Sequence, residues 1–132
     1  MSKTVDMAAL TRRAAEYGGL AYLITIGDNA QIHTSAVFPG IEAATVTVGG
    51  ISRHTLANTG QNPNVTLVWP PADPDGYSLI VDGAARNSDD GVIHVTPSRA
   101  VLHRPALREG DPLVDSTCKS DCIDLWEAAA VS

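Results

Sequence analysis

Side chains suited to holding an anion are concentrated in one short stretch of the chain, GISRHTLANTGQNPNV, at positions 50–65. Ser52 and Thr55 bring hydroxyl groups, and Arg53 is the single lysine or arginine between positions 14 and 85. Ser52 has the residue type and position of a helix N-cap, so unpaired backbone N–H groups would follow it. A helix N-terminus beside a guanidinium group is suited to phosphate oxygens. The residues leave two interpretations open: an anion site, or a plain cap beside an arginine that points into water.

The other residues that could do chemistry form no recognisable pattern. The chain has no GxGxxG, GxxxxGK[ST], GxSxG or HExxH motif, which excludes the commonest nucleotide, hydrolase and metalloprotease signatures. Two acidic pairs fall in Pro/Gly-rich or hairpin segments, where Asp is common for turn reasons. The four histidines show no metal-ligand spacing: His33, His54, His94 and His103. We therefore name no catalytic residue and no metal site.

The two cysteines, Cys118 and Cys122, lie four residues apart near the C-terminus. A structural zinc site takes about four ligands, and this pair supplies two. In a cytoplasmic chain a structural disulfide is also unexpected. We interpret the pair as two reduced thiols on one side of a terminal helix, with a redox role as the alternative.

The elements that must position the anion-binding stretch are mainly strands. Alternating apolar and polar residues, as in ATVTVGG, predict strands at positions 20–27, 31–39, 44–50, 64–70, 77–86 and 92–104, the last bent or broken at Pro97. Helices are predicted over Asp6 to Tyr17, over Arg53 to Thr59 with Gly60 as the stop, and around CIDLWEAAA. Strands that follow each other at short spacing favour an antiparallel barrel or sandwich. We expect a single domain over residues 1–132.

Composition excludes several classes of partner. The formal net charge of −6 and the lack of a basic patch argue against nucleic acid and anionic membranes. No apolar run has the length of a signal peptide core or a membrane span. We expect a cytoplasmic protein.

Three segments resemble the pyridoxamine 5′-phosphate oxidase-like flavin-binding split barrels. They are LAYLITIGDNAQIHTSAVFP, ATVTVGGISRHTLANTGQNPNVTLVWP and YSLIVDGAAR, and together with VTPSRAVLHRP they cover about Leu20 to Pro105. More narrowly, the chain is similar to the small actinobacterial members, which include flavin and deazaflavin oxidoreductases. The resemblance implies a mainly β fold: a six-stranded antiparallel split β-barrel with short flanking helices, usually a homodimer that binds its cofactor between the subunits.

The resemblance also implies a cofactor and residues that hold it. Carried over position by position, the phosphate would meet Ser52, Arg53 and Thr55, and the ring system would lie near His33, Thr34 and Ser35. Trp69 would line the cleft or stack on a ring, or else belong to the dimer interface. We expect FMN, with a deazaflavin coenzyme or no cofactor as alternatives, because a single arginine stands at the phosphate position. The implied activity is an oxidoreductase that transfers a hydride to or from a small organic substrate. The alternatives are a non-catalytic module that binds a small ligand, and haem binding through His33, His54 or His94.

Overall fold

A computed structural model describes residues 4–105 and 120–127 of the chain. Within these ranges, strands account for most of the ordered elements. The helices are α1 (Met7–Ala14), continued by a 3₁₀ turn (Ala15–Tyr17), and α2 (Arg53–Gln61). The strands are β1 (Ala21–Ile26), β2 (Ile32–Val37), β3 (Gly40–Glu42), β4 (Thr45–Val48), β5 (Asn64–Trp69), β6 (Ser78–Asn87), β7 (Ile93–Pro105) and β8 (Ser120–Asp124). A second 3₁₀ turn (Asp28–Ala30) joins β1 to β2. None of the described helices has the length and apolar character needed to cross a membrane.

The strands form one antiparallel sheet in the order β2-β1-β5-β6-β7-β4-β3, and β8 pairs with β7. Long β7 pairs with β6 along one edge, while β4 and β8 share the other edge. The sheet curls around the core, and within the described ranges its two end strands, β2 and β3, are not hydrogen-bonded to each other. The predicted mainly β, antiparallel architecture is confirmed, with eight strands in place of six.

The core is built from the inward-facing residues of the curled sheet. In β1 the buried positions alternate, with Ala21, Leu23 and Thr25 inside, because successive strand residues point to opposite faces. Leu10 of α1 is also fully buried against this core. Burying each large aliphatic side chain contributes about 1.5–3 kcal/mol, and these side chains are mainly Val, Leu and Ile.

The sequence predicted that the last strand is bent or broken at Pro97, and the structure shows a continuous strand with an irregularity at this point. β7 runs on as far as Pro105, and its pairing with β6 shifts by one residue: Asp82 lies opposite Arg99, and Gly83 lies opposite Pro97. Ser98 is the extra residue of this β-bulge, and its hydroxyl donates to the Asp82 carbonyl at 3.2 Å. The backbones approach so closely here that a Cβ on Gly83 would lie 2.5 Å from the Thr96 carbonyl oxygen. The bulge thus requires glycine at the centre of the VDGAA segment.

The prediction of a terminal helix around CIDLWEAAA is wrong for the part of that segment that the structure describes. Ser120–Asp124 is strand β8, and the Leu125 N–H donates to the Ala100 carbonyl at 2.8 Å. Val5 and Trp126 form an isolated antiparallel bridge, so the two ends of the described chain lie side by side. Pairing with β7 overrides the local helix propensity. Cys118 and the rest of the predicted helix, residues 128–130, lie outside the described residues.

Helix α2 begins as predicted and ends later. The Ser52 hydroxyl accepts a hydrogen bond from the Thr55 N–H at 3.2 Å, which confirms the predicted N-cap. Gly60 does not stop the helix, which continues to Gln61. Asn62 is extended because it precedes Pro63, and a residue before proline disfavours the helical region.

Candidate functional site

Five polar side chains from two elements meet at the start of α2. β2 presents His33 and Ser35 to the same side, since strand residues two apart share a face. The cap and first turn of α2 present Ser52, His54 and Thr55. We call these five residues the α2 cluster.

A hydrogen-bond chain runs through the α2 cluster. The Thr55 hydroxyl lies 3.1 Å from the Ser52 hydroxyl and 3.3 Å from the Ser35 hydroxyl. The Ser35 hydroxyl also lies 3.3 Å from Nε2 of His33. The His33 and His54 rings pack with their centroids 4.6 Å apart and their planes tilted by 56°. Thr55 is 1% exposed, so its hydroxyl orients its neighbours from behind, while Ser52 and His54 face solvent.

A cavity of about 510 Å³ opens beside the α2 cluster. This volume lies within the range typical of small-molecule and cofactor sites, roughly 300–1,000 Å³. Its walls come from the turn between β1 and β2, from β2 itself and from α2: Gly27, Asp28, Gln31, Ile32, His33, His54 and Asn58. Two imidazoles, one carboxylate and two amides therefore face the same space.

Hydrogen bonds fix α2 against the sheet and so position the cluster. Asn58 donates from Nδ2 to the hydroxyl of buried Thr25 in β1 at 3.1 Å. Thr59 donates to Oδ1 of Asn87 at 2.6 Å, and Asn87 donates from Nδ2 to the Leu56 carbonyl at 2.9 Å. Every buried side-chain nitrogen and oxygen in the described part of the chain has a partner. The rear of the helix is thus held by a satisfied polar network, while Ser52 and His54 at its start remain exposed.

The remaining sequence-predicted residues take three different positions. Arg53 is exposed at the first position of α2, with no hydrogen bond or ion pair to the residues that the structure describes. Thr34 is exposed on the face of β2 opposite His33 and Ser35. Trp69 is 2% exposed in the core and borders a separate hollow beside α1. The structure therefore brings Ser52 and Thr55 together with His33 and Ser35. It leaves Arg53 exposed beside Ser52, and Thr34 and Trp69 lie apart from the cluster.

Several solved structures share the fold. A putative pyridoxamine 5′-phosphate oxidase from Listeria innocua aligns with a TM-score of 0.60 and 14% identity, over 73% of this chain and 96% of that one. An F420 reductase aligns with a TM-score of 0.55 and 14% identity, over 67% and 94%. An FAD-binding protein from Mycobacterium smegmatis aligns with a TM-score of 0.52 and 21% identity, over 75% and 94%. The expected pyridoxamine 5′-phosphate oxidase-like split-barrel fold is confirmed.

Sequence comparison gives nearer relatives. No protein-family model matches the chain. Two uncharacterized proteins, from Mycobacterium bovis and Mycobacterium tuberculosis, are each 40% identical over 137 residues, covering 92% of this chain and 95% of theirs. The chain belongs to their family. In this chain the α2 cluster is the candidate site.

The cofactor-site residues predicted from the sequence did not include four polar residues that line the cavity: Asp28, Gln31, His54 and Asn58. His54 and Asn58 are four apart on α2, so helical spacing alone places them on one face. That signal was present in the sequence. Asp28 falls in the turn between the first two predicted strands and Gln31 starts the second of them, and the place of both beside α2 follows from the curl of the sheet.

Proposed function

We propose that this split barrel is a cytoplasmic flavin- or deazaflavin-dependent oxidoreductase, with FMN as its preferred cofactor. The observation that supports it is the α2 cluster: a capped helix N-terminus, hydroxyls and paired imidazoles beside a cavity of about 510 Å³. When bound, such a cofactor supplies hydride transfer to or from a small organic substrate. The protein supplies binding, orientation and protection from water.

The phosphate end of the cofactor fits the first turn of α2. The N–H groups of Arg53 and His54 occupy the first two helical positions, which have no acceptor within a helix. Ser52 adds an exposed hydroxyl, and the guanidinium of Arg53 adds donors in a fork that matches phosphate oxygens. The helix dipole favours a negative charge at the same point. Asp28, the acidic residue of the cavity wall, belongs to the β1–β2 turn. Because its carboxylate repels a phosphate, the phosphate is directed toward α2.

The imidazoles fit the ring end of the cofactor. His33 and His54 line the cavity, and ring nitrogens can donate or accept hydrogen bonds according to tautomer. The Ser35 hydroxyl at 3.3 Å fixes Nε2 of His33, and buried Thr55 holds Ser35 in turn. We assign these residues to orienting the ring. Trp69 is left out of the proposal because its indole is buried in the core.

A second copy of the chain would complete the site. The outer face of β1 and β2 exposes Tyr22 at 39% and Ile32 at 69%. Ile32 lines the α2 cavity and also a second hollow of about 340 Å³, which Ile24 and Ile26 border on the same face. An apolar face continuous with a polar cavity is suited to a partner that covers both. We propose a homodimer whose partner subunit closes the cavity and excludes water.

The test of the cofactor site is a fluorescence and absorbance titration of the purified protein with FMN and, separately, with a deazaflavin coenzyme. We expect saturable binding, and we expect Arg53→Ala to weaken it by about 2 kcal/mol or more, roughly 30-fold in Kd, because a charge-assisted pair with phosphate is lost. Arg86→Ala is the matched control, since Arg86 is exposed on β6 and lines no part of the cavity. Unchanged affinity in Arg53→Ala would show that this arginine is a solvated neighbour of the cap.

Turnover assays distinguish an enzyme from a binding module, and the molecular mass in solution distinguishes a dimer from a monomer. Oxidation of a reduced nicotinamide or a reduced deazaflavin by the loaded protein supports the enzyme, whereas tight binding without turnover supports the non-catalytic module. Sedimentation should give twice the 13.8 kDa chain mass, and Ile32→Asp should shift it to the monomer. A monomeric wild-type protein that binds the cofactor with full affinity would contradict the dimer cleft.

A further inference from the structure

One nearly buried side chain brings to the α2 cavity a hydrogen-bonding atom that the protein does not use. Asn58 is 6% exposed and lines this cavity. Its Nδ2 donates to the Thr25 hydroxyl, but its Oδ1 accepts no hydrogen bond from the described residues. Every fully buried side-chain oxygen of those residues has a partner, so Oδ1 must have access to open space. The space that Asn58 lines is the α2 cavity, which therefore contains an acceptor that a ligand can use.

Gly27 leaves room around this acceptor. A Cβ added to Gly27 would lie 2.9 Å from Oδ1 of Asn58, a separation that Cβ atoms do not tolerate. Gly27 has a φ of −100° and an extended backbone, which any residue can adopt, so its backbone conformation does not require glycine. The missing side chain instead keeps the space beside the Asn58 amide open, at the point where Gly27 itself lines the cavity.

The two ends of the α2 cavity differ in the groups that they can bind. Beside the start of α2 lie hydrogen-bond donors, the hydroxyl of Ser52 and the guanidinium of Arg53. Asn58 lies about one helical turn beyond His54, close to the β1–β2 turn, which contributes the carboxylate of Asp28. No lysine or arginine is among the described residues that line the cavity. The amide oxygen and the carboxylate therefore favour a ligand group that donates hydrogen bonds at this end.

We propose that Asn58 is a specificity-determining residue of the α2 cavity, and that its Oδ1 accepts a hydrogen bond from a ring N–H of the bound cofactor. This inference rests on the proposed cofactor site. The oxidised FMN ring has a single N–H, which lies between two carbonyl groups, and a deazaflavin ring has the same imide. Asn58 fixes the edge of the ring that faces the β1–β2 turn. A ring without this N–H leaves the acceptor unpaired, which is costly in a nearly buried site.

The test compares FMN with FMN methylated on its imide nitrogen, in fluorescence titrations of the full chain. Methylation removes the ring N–H and leaves the phosphate unchanged. We expect the wild-type protein to bind the methylated cofactor at least about tenfold more weakly than FMN, because a nearly buried acceptor loses its donor. Equal affinity for the two cofactors would overturn the proposal and leave the proposed function standing. No saturable binding of FMN would refute the proposed function, and the proposal for Asn58 with it.

Variants show whether this selectivity comes from Asn58 or from crowding by the added methyl group elsewhere in the site. Asn58→Leu removes the acceptor and should abolish the difference in affinity between the two cofactors. Gln61→Leu is the matched control and should preserve the difference, since Gln61 is an exposed amide on the same helix and lines no part of the cavity. Where Asn58→Leu does not fold, Gly27→Ala crowds the same oxygen and should reduce the difference. An undiminished difference in Asn58→Leu or in Gly27→Ala would overturn the proposal.

Discussion

Adding a single methyl group at Gly83 should destabilise the fold substantially. An alanine Cβ at this position would lie 2.5 Å from the Thr96 carbonyl oxygen, 2.7 Å from Cγ1 of Val95 and 3.1 Å from the Thr96 carbonyl carbon. Ordinary contact begins near 3.4 Å, so β6 and β7 would have to separate by up to 0.9 Å, the difference between 3.4 and 2.5 Å. Overpacking of this kind costs about 1–3 kcal/mol, and contact with backbone atoms places Gly83→Ala at the upper end. Replacing a strand glycine by alanine would return at most about 1 kcal/mol of backbone entropy.

The net prediction for Gly83→Ala is a loss of about 2 kcal/mol in the free energy of unfolding. Urea denaturation followed by tryptophan fluorescence measures it, with an unchanged m-value as evidence that the unfolding transition is the same. Gly60→Ala is the matched control: Gly60 lies inside α2, and its added Cβ would come no closer than 3.7 Å to Nδ2 of Asn87. Helix propensity predicts that Gly60→Ala stabilises the protein by about 0.5–1 kcal/mol. If Gly83→Ala stayed within 0.5 kcal/mol of the wild type, the argument from the bulge would be refuted.

Two further predictions concern Asn58 and Tyr17. Asn58→Ala removes the hydrogen-bond donor to Thr25, which is fully buried, and should lower the free energy of unfolding measured in urea by about 1–3 kcal/mol. Adding Thr25→Val should recover part of that loss, because the unpaired hydroxyl is then removed as well. Strictly additive losses in the double variant would contradict the pairing. Burial, followed by the charge of Glu16, raises the pKa of Tyr17 above 10.0. The stabilisation linked to the neutral phenol is therefore complete below pH 10 and lost as pH rises through the higher folded-state pKa. In an absorbance titration at 295 nm, Tyr17 should contribute ionisation above pH 10, and Tyr17→Phe should reduce the amplitude in that range. An amplitude above pH 10 that is the same in Tyr17→Phe as in the wild type would refute the assignment.

Local sequence signals were enough to predict most of the fold. Strands such as β1 and β4 alternate buried residues with less buried ones, and Ser52 has the residue type of an N-cap, so each is determined by its own neighbours. Strand β8 has no such pattern, because its sequence SDCID is polar and exists as a strand through its hydrogen bonds to β7. Gly60 was read as a helix stop, yet Pro63 sets the end of α2.

The candidate site could be predicted in part for the same reason. The first turn of α2 brings Ser52, Arg53 and Thr55 together over four residues, which spacing alone can predict. His33 and Ser35 join them across about 20 residues, and only the family resemblance pointed to that contact. The role of Asn58 in holding α2 to β1 depends on the curl of the sheet, which no local pattern encodes.

The pairing of the two ends of the described chain bears on how the protein is made. The Asp6 N–H donates to the Leu125 carbonyl at 3.0 Å, and the Glu127 N–H donates to the Thr4 carbonyl at 2.8 Å. These contacts join residues more than a hundred positions apart, and contacts of such separation form late because loop closure must precede them. During synthesis, the segment before α1 and the edge of β7 that pairs with β8 therefore stay unpaired until residues 120–127 leave the ribosome. A nascent chain stalled before that point would expose an unpaired strand edge to its neighbours.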